Sequence, residues 1–160
     1  MDQVLIQQLA NELLVAEDTA TPILPLTDRY PDITIQDAYA IQKAVIDLKL
    51  ARGEVVIGKK IGLTSKGIRD QVGVHEPDYG VMTDAGWVKD GECIDAGKMI
   101  GPRIEAEIGF VLKKDLDKKV VTAWDVIDAT AGVMPALEIV DSRIKDWRIT
   151  IQDTVSDAAS

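Results

Sequence analysis

The chain has 160 residues, 46% hydrophobic and 28% charged, a balance that supports a packed core and excludes extended disorder. The 27 Asp and Glu outweigh the 18 Lys and Arg to leave a net charge of −9, and no basic stripe is present, so nucleic acid and anionic membranes are excluded as partners. Cys93 and His75 are the single residues of their kinds, which rules out an internal disulfide, a cysteine-based zinc site and a two-histidine metal site.

No run free of Asp, Glu, Lys and Arg exceeds nine residues, too short for a membrane-spanning helix. The start, MDQVLIQQLANELL, lacks the basic stretch and small-residue cleavage site of a secretory signal. A soluble cytoplasmic protein is expected. Leu5, Leu9 and Leu13, with Ile6 beside them, predict an amphipathic helix over residues 3–17. Three prolines within residues 22–31 then predict an extended connection. Thr34 and Asp37 form a capping-box pattern ahead of Ala38, Ile41, Val45 and Leu48, which predicts a helix over 35–52 closed by Gly53. Residues 55–63 read as a buried strand, 66–72 as a short helix, and 73–80 as a loop. Strict alternation over 103–112 gives the clearest strand signal in the chain. A short helix from Thr122 to about Asp128 and a strand over 132–141 follow. The last twelve residues, ITIQDTVSDAAS, show neither a helix cap nor a terminal strand. The class is α+β, with helices first and strands after.

Glu105 and Glu107 are two apart on a predicted strand and therefore share a face. Glu138 interrupts an apolar run on a second strand, a costly place for a carboxylate without a partner. If the two strands meet, three carboxylates converge, and an all-oxygen set favours Mg²⁺ or Mn²⁺ over zinc. From spacing alone a solvated outer strand face is the favoured reading, because alternating strands usually show polar residues to water. Lys59 and Lys60 sit in the strand VVIGKKIGL and must point to opposite faces, so one can be solvated while the other turns inward to hold an anion or move a proton. Asp78 follows Pro77 and fits turn chemistry; His75 fits packing in a loop.

Four blocks, VIGKKIGLTSKGI, GVHEPDYGVMTDA, GPRIEAEIGFVLKKDL and MPALEIVDSRIKDWRITIQDT, together resemble the 2-oxopent-4-enoate (2-hydroxypenta-2,4-dienoate) hydratases of the fumarylacetoacetate hydrolase superfamily. The resemblance covers essentially the whole chain. It implies a mixed β-roll behind N-terminal helices, with residues 1–53 as the helical region and 54–160 as a catalytic region truncated at its C-terminus. It implies that Glu105, Glu107 and Glu138 bind Mg²⁺ or Mn²⁺, that Lys60 and Asp78 transfer protons, and that Ser160 contacts substrate. The implied reaction is hydration of a small anionic 2-hydroxy-2,4-dienoate to 4-hydroxy-2-oxopentanoate in the meta-cleavage of aromatic compounds, by a cytoplasmic homo-oligomer. A 4-oxalocrotonate decarboxylase and an inactive truncated fragment are the alternatives. The family usually reads DTVADNAS where this chain reads DTVSDAAS, so Ser156 replaces Ala and Ala158 replaces Asn.

Overall fold

The computed structural model of the chain describes residues 1–159. It divides into two compact units, Met1–Pro102 with Asp141–Ser160, and Arg103–Val140.

The first unit is built on helices. Helix α1 (Gln3–Thr19) is capped by Asp2, whose carboxylate accepts from the Leu5 N–H, and buries Ile6, Leu9, Ala10 and Leu13 along one stripe. A single short helix, α2 (Leu26–Arg29), interrupts the connection expected to be extended. Helix α3 (Ile35–Ala51) starts at the Thr34–Asp37 capping box and buries Ala38, Ile41, Ala44 and Val45. These two stripes meet Leu26, Ile33, Ile144 and Val155 in one apolar core. Burial of such side chains is worth roughly 1.5–3 kcal/mol each, so this core dominates the unit's stability.

Strand β1 (Val56–Gly62) pairs antiparallel with β2 (Asp78–Thr83), and α4 (Lys66–Val72) lies between them in the chain. Two expectations change here. β1 is not a buried strand: Val56, Ile57 and Ile61 are exposed, because the ribbon has only two strands and only one covered face. Asp78 is not a turn residue; it opens β2, paired opposite Gly62.

The end of the chain also differs from expectation. Residues Ile151–Ser156 form a capped helix, α6, in which the Thr150 hydroxyl accepts from the Asp153 N–H and the Asp153 carboxylate accepts from the Thr150 N–H. The T-x-x-D pattern was the signal, and the helix is too short to show an apolar period.

In the second unit, β3 (Arg103–Leu112) pairs antiparallel with β4 (Thr130–Val140), and α5 (Ala123–Ala129) connects them behind a capping box at Thr122 and Asp125. Ion pairs Lys118–Asp125 and Lys114–Asp128 tie α5 to the preceding loop. Among the described residues, the sheets are these two antiparallel ribbons. The α+β class with N-terminal helices stands. No helix of the described residues is long and apolar enough to cross a membrane.

Candidate functional site

The register of the β3–β4 ribbon sorts its side chains by face. Ile104, Ala106, Ile108 and Phe110 oppose Ile139, Leu137, Pro135 and Val133 on one side. The other side carries Glu105 directly opposite Glu138, with Glu107 two residues further along β3. Carboxylate oxygens of Glu105, Glu107 and Glu138 all lie within 4.8 Å of one another. Glu105 and Glu107 are exposed and Glu138 is half-buried.

Like charges directly across an antiparallel pair are destabilising. Each pair at this separation costs about 1 kcal/mol even at the dielectric constant of water. A sequence that places three such groups on one patch therefore gains when a cation joins them. Oxygens bound to one Mg²⁺ or Ca²⁺ ion at about 2.0–2.6 Å are separated by at most about 4–5 Å. The spacing of the three glutamates fits that limit, and their donor chemistry fits a hard divalent cation.

Lys60 and Asp78 belong to the other ribbon. Lys60 pairs with Gly80 and Gly62 with Asp78, so the Lys60 and Asp78 side chains lie on one face as diagonal neighbours. Lys59, paired with Val81, points to the opposite face, where its ammonium stands 5.2 Å from the centre of the Tyr79 ring. Lys59 is exposed and Lys60 half-buried. Asp78 is 6% exposed.

Two glycines make this face possible. A Cβ on Gly62 would collide with Oδ1 of Asp78, so that glycine leaves the space the carboxylate occupies. A Cβ on Gly80 would collide with the backbone carbonyl of Ala158 and come to 3.0 Å from Cγ of Lys60. The turn after α6 therefore packs onto β2 beside the stem of Lys60.

That turn is anchored by a buried polar cluster that the sequence gives little sign of. Arg143 donates from Nε to the Asp157 carboxylate at 2.5 Å and from its terminal nitrogens to the carbonyls of Asp141 and Asp157. Burial pushes the Asp157 carboxyl up to about 6, and the Arg143 guanidinium pulls in the other direction. Asp153 is fully buried and also accepts from the N–H and hydroxyl of Thr27. Tyr39, on α3, stacks on Tyr79 with ring centres 4.7 Å apart. Burial pushes its phenol up, and the negative charge of Asp78 acts in the same direction. Ser160, expected to contact substrate, lies outside the described residues.

No protein-family model matches the chain. Among curated relatives, a 2-hydroxypent-2,4-dienoate hydratase from Pseudomonas putida is 50% identical over 100% of this chain and 72% of its own length. A 2-hydroxyhexa-2,4-dienoate hydratase from Comamonas testosteroni is 48% identical over 99% of this chain and 61% of its own. A 2-keto-4-pentenoate hydratase from Paraburkholderia xenovorans is 46% identical over 96% and 57%. The chain thus spans 57% to 72% of the length of these relatives. Among solved structures, 4-oxalocrotonate decarboxylase from Pseudomonas putida G7, complexed with magnesium and adipate, superposes with a TM-score of 0.96 at 36% identity, covering all of this chain and 61% of that one. The same enzyme with calcium and acetate gives 0.93. The extent and level of identity to the first of these relatives place the chain in the 2-hydroxypenta-2,4-dienoate (2-keto-4-pentenoate) hydratase family.

Proposed function

We propose that the protein hydrates 2-hydroxypenta-2,4-dienoate to 4-hydroxy-2-oxopentanoate in the meta-cleavage route of aromatic catabolism. One observation carries the choice of reaction: identity to hydratases reaches 50%, against 36% to the decarboxylase of near-identical fold. Glu105, Glu107 and Glu138 would hold a divalent cation, Mg²⁺ or Mn²⁺. When bound, it supplies Lewis acidity and a chelation point for the substrate carboxylate and the neighbouring oxygen.

The remaining chemistry falls to side chains. Ketonisation removes the proton of the 2-hydroxyl and delivers a proton to C5, giving a conjugated enone. Water then adds its oxygen to C4 while C3 takes a proton, which completes the addition of one H₂O. Lys60 and Asp78 are proposed as the groups that move these protons. Their shared face and the inward position of Asp78 support that role. Lys60 also supplies a positive charge for an anionic substrate on a protein of net charge −9. The same reading carries a β-roll of the fumarylacetoacetate hydrolase type, substrate contact at Ser160, a cytoplasmic location and a homo-oligomer.

The decarboxylase fold neighbour supports 4-oxalocrotonate decarboxylation as a second reading. The test follows loss of the dienol absorbance on 2-hydroxypenta-2,4-dienoate and CO₂ release from 4-oxalocrotonate, with Mg²⁺ present. Hydration is expected to be the faster reaction, and Asp78→Asn is expected to lower it by about 100-fold or more while leaving Mg²⁺ affinity unchanged. Faster CO₂ release would replace the hydratase with the decarboxylase, and an Asp78→Asn variant that hydrates normally would remove Asp78 from the proton transfers.

A further inference from the structure

Helix α3 carries an anomaly in its apolar stripe. Gln42 lies among Ala38, Ile41 and Val45 and is 2% exposed. A buried primary amide is costly unless its donors are used. Here Nε2 donates to the carbonyl of Tyr79 at 3.1 Å and to the carbonyl of Val155 at 2.8 Å. Both acceptors need such a donor. β2 is paired only with β1, so backbone groups on its outer edge have no strand partner. Val155 lies in the last turn of α6, where carbonyls have no partner within the helix. Tyr79 immediately follows Asp78, and Val155 precedes the Ser156–Ala159 turn whose carbonyl packs on Gly80 beside Lys60. One turn back on α3, Tyr39 stacks on the Tyr79 ring. The same helix face thus holds the Tyr79 residue through both its ring and its backbone.

We infer that Gln42 is a positioning residue: its buried amide, joining α3 to β2 and to the end of α6, fixes the backbone that presents Asp78 and the turn that flanks Lys60. This inference rests on the proposed role of Asp78 for its catalytic consequence, but not for its structural one. Gln42→Met keeps the length and apolar bulk of the side chain and removes both donors. Gln42→Glu keeps the shape and offers one donor when protonated and none when ionised.

The decisive measurement is the ¹³C NMR titration of the Asp78 side-chain carboxyl in the 160-residue chain. Lys60, its diagonal neighbour on the same face, and Tyr39, whose phenol the Asp78 charge pushes up, are the titratable groups to monitor with it. In Gln42→Met the Asp78 midpoint is expected to move by about 0.5 pH unit or more, with that of Asp125 in the other ribbon unchanged. In turnover, kcat is expected to fall about tenfold with KM within about twofold. Gln42→Glu should lose turnover as pH rises through its own carboxyl pKa, a dependence absent from the parent chain. A folded Gln42→Met in which Asp78 titrates as before overturns the inference, even if Tm falls. Should that variant not fold, the parent chain still decides: side-chain amide protons of Gln42 that exchange as fast as those of a surface glutamine overturn it. The Asp78 titration decides on Gln42 whether or not the 160-residue chain turns over 2-hydroxypenta-2,4-dienoate.

Discussion

Ser156 sits at the last position of α6, fully buried, and its hydroxyl has no hydrogen-bond partner among the described residues. A buried, unsatisfied hydroxyl costs about 1–3 kcal/mol relative to one that remains in water. The family sequence resembled here carries alanine at this place. Ser156→Ala should therefore stabilise the chain by about 1 kcal/mol, against the usual trend for substitutions at fully buried positions. In a chain of this size that is a rise in Tm of about 2–4 °C. Two residues on, Ala158 has φ 60° and Ala159 has φ 65°, a left-handed conformation that costs a residue with a Cβ about 1–2 kcal/mol. Asparagine, the family residue at 158, tolerates that conformation better than alanine does. Ala158→Asn should add to the gain from Ser156→Ala in thermal melts. If both substitutions lower Tm, the packing assigned to this turn is wrong.

Three helices in the chain begin with the same four-residue device: Thr34–Asp37 at α3, Thr122–Asp125 at α5 and Thr150–Asp153 at α6. The local chemistry is identical, and the surroundings are not. Asp125 is bound to its own cap and to the exposed Lys118, whereas Asp153 is fully buried and also receives two hydrogen bonds from Thr27. Asp125→Ala should cost about 1 kcal/mol, the ordinary value of a cap. Asp153→Ala should cost about 2 kcal/mol or more, because besides the cap it leaves the half-buried N–H and hydroxyl of Thr27 unmatched. Chemical denaturation of the two variants side by side would test the difference, and equal losses would refute it. The comparison also shows why some features are legible in sequence. A cap is a contact between residues three apart, so the first two helices could be read from it, and the third carried the same mark on a segment too short to support it with periodicity. The shared face of Glu105 and Glu107 follows from strand alternation alone. That Glu138 stands directly opposite Glu105 depends on register, which ten intervening loop residues and α5 do not announce. Gln42, Arg143 and Asp157 were illegible for the same reason: their partners are far away in sequence, and only the fold says that they are buried.

The two units of the molecule differ in what holds them together, and the proposed cation site falls in the weaker one. The first unit has an apolar core fed by α1, α3 and α6. The second, Arg103–Val140, is a two-stranded ribbon with one helix, and on its apolar face Ile104, Ile108 and Leu137 are 69%, 67% and 70% exposed. A two-stranded ribbon is marginally stable by itself in water, and this one also brings three carboxylates together on its other face. In the absence of a divalent cation, amide hydrogen exchange should be faster along β3 and β4 than in α1 and α3. Binding to the folded ribbon alone stabilises it by mass action, about 2.7 kcal/mol at a cation concentration one hundred times the Kd. Mg²⁺ should then slow exchange around Glu105, Glu107 and Glu138 by up to about 100-fold while amides of α1 and α3 change little. Glu105→Gln gives the test its sign. It removes a like charge from directly opposite Glu138, so without Mg²⁺ the variant ribbon should exchange more slowly than the parent. It also removes a ligand, so with Mg²⁺ the variant should gain far less protection than the parent. A structural glutamate on a solvated strand face predicts neither change, and a ribbon that ignores both Mg²⁺ and Glu105→Gln would remove the metal from this site.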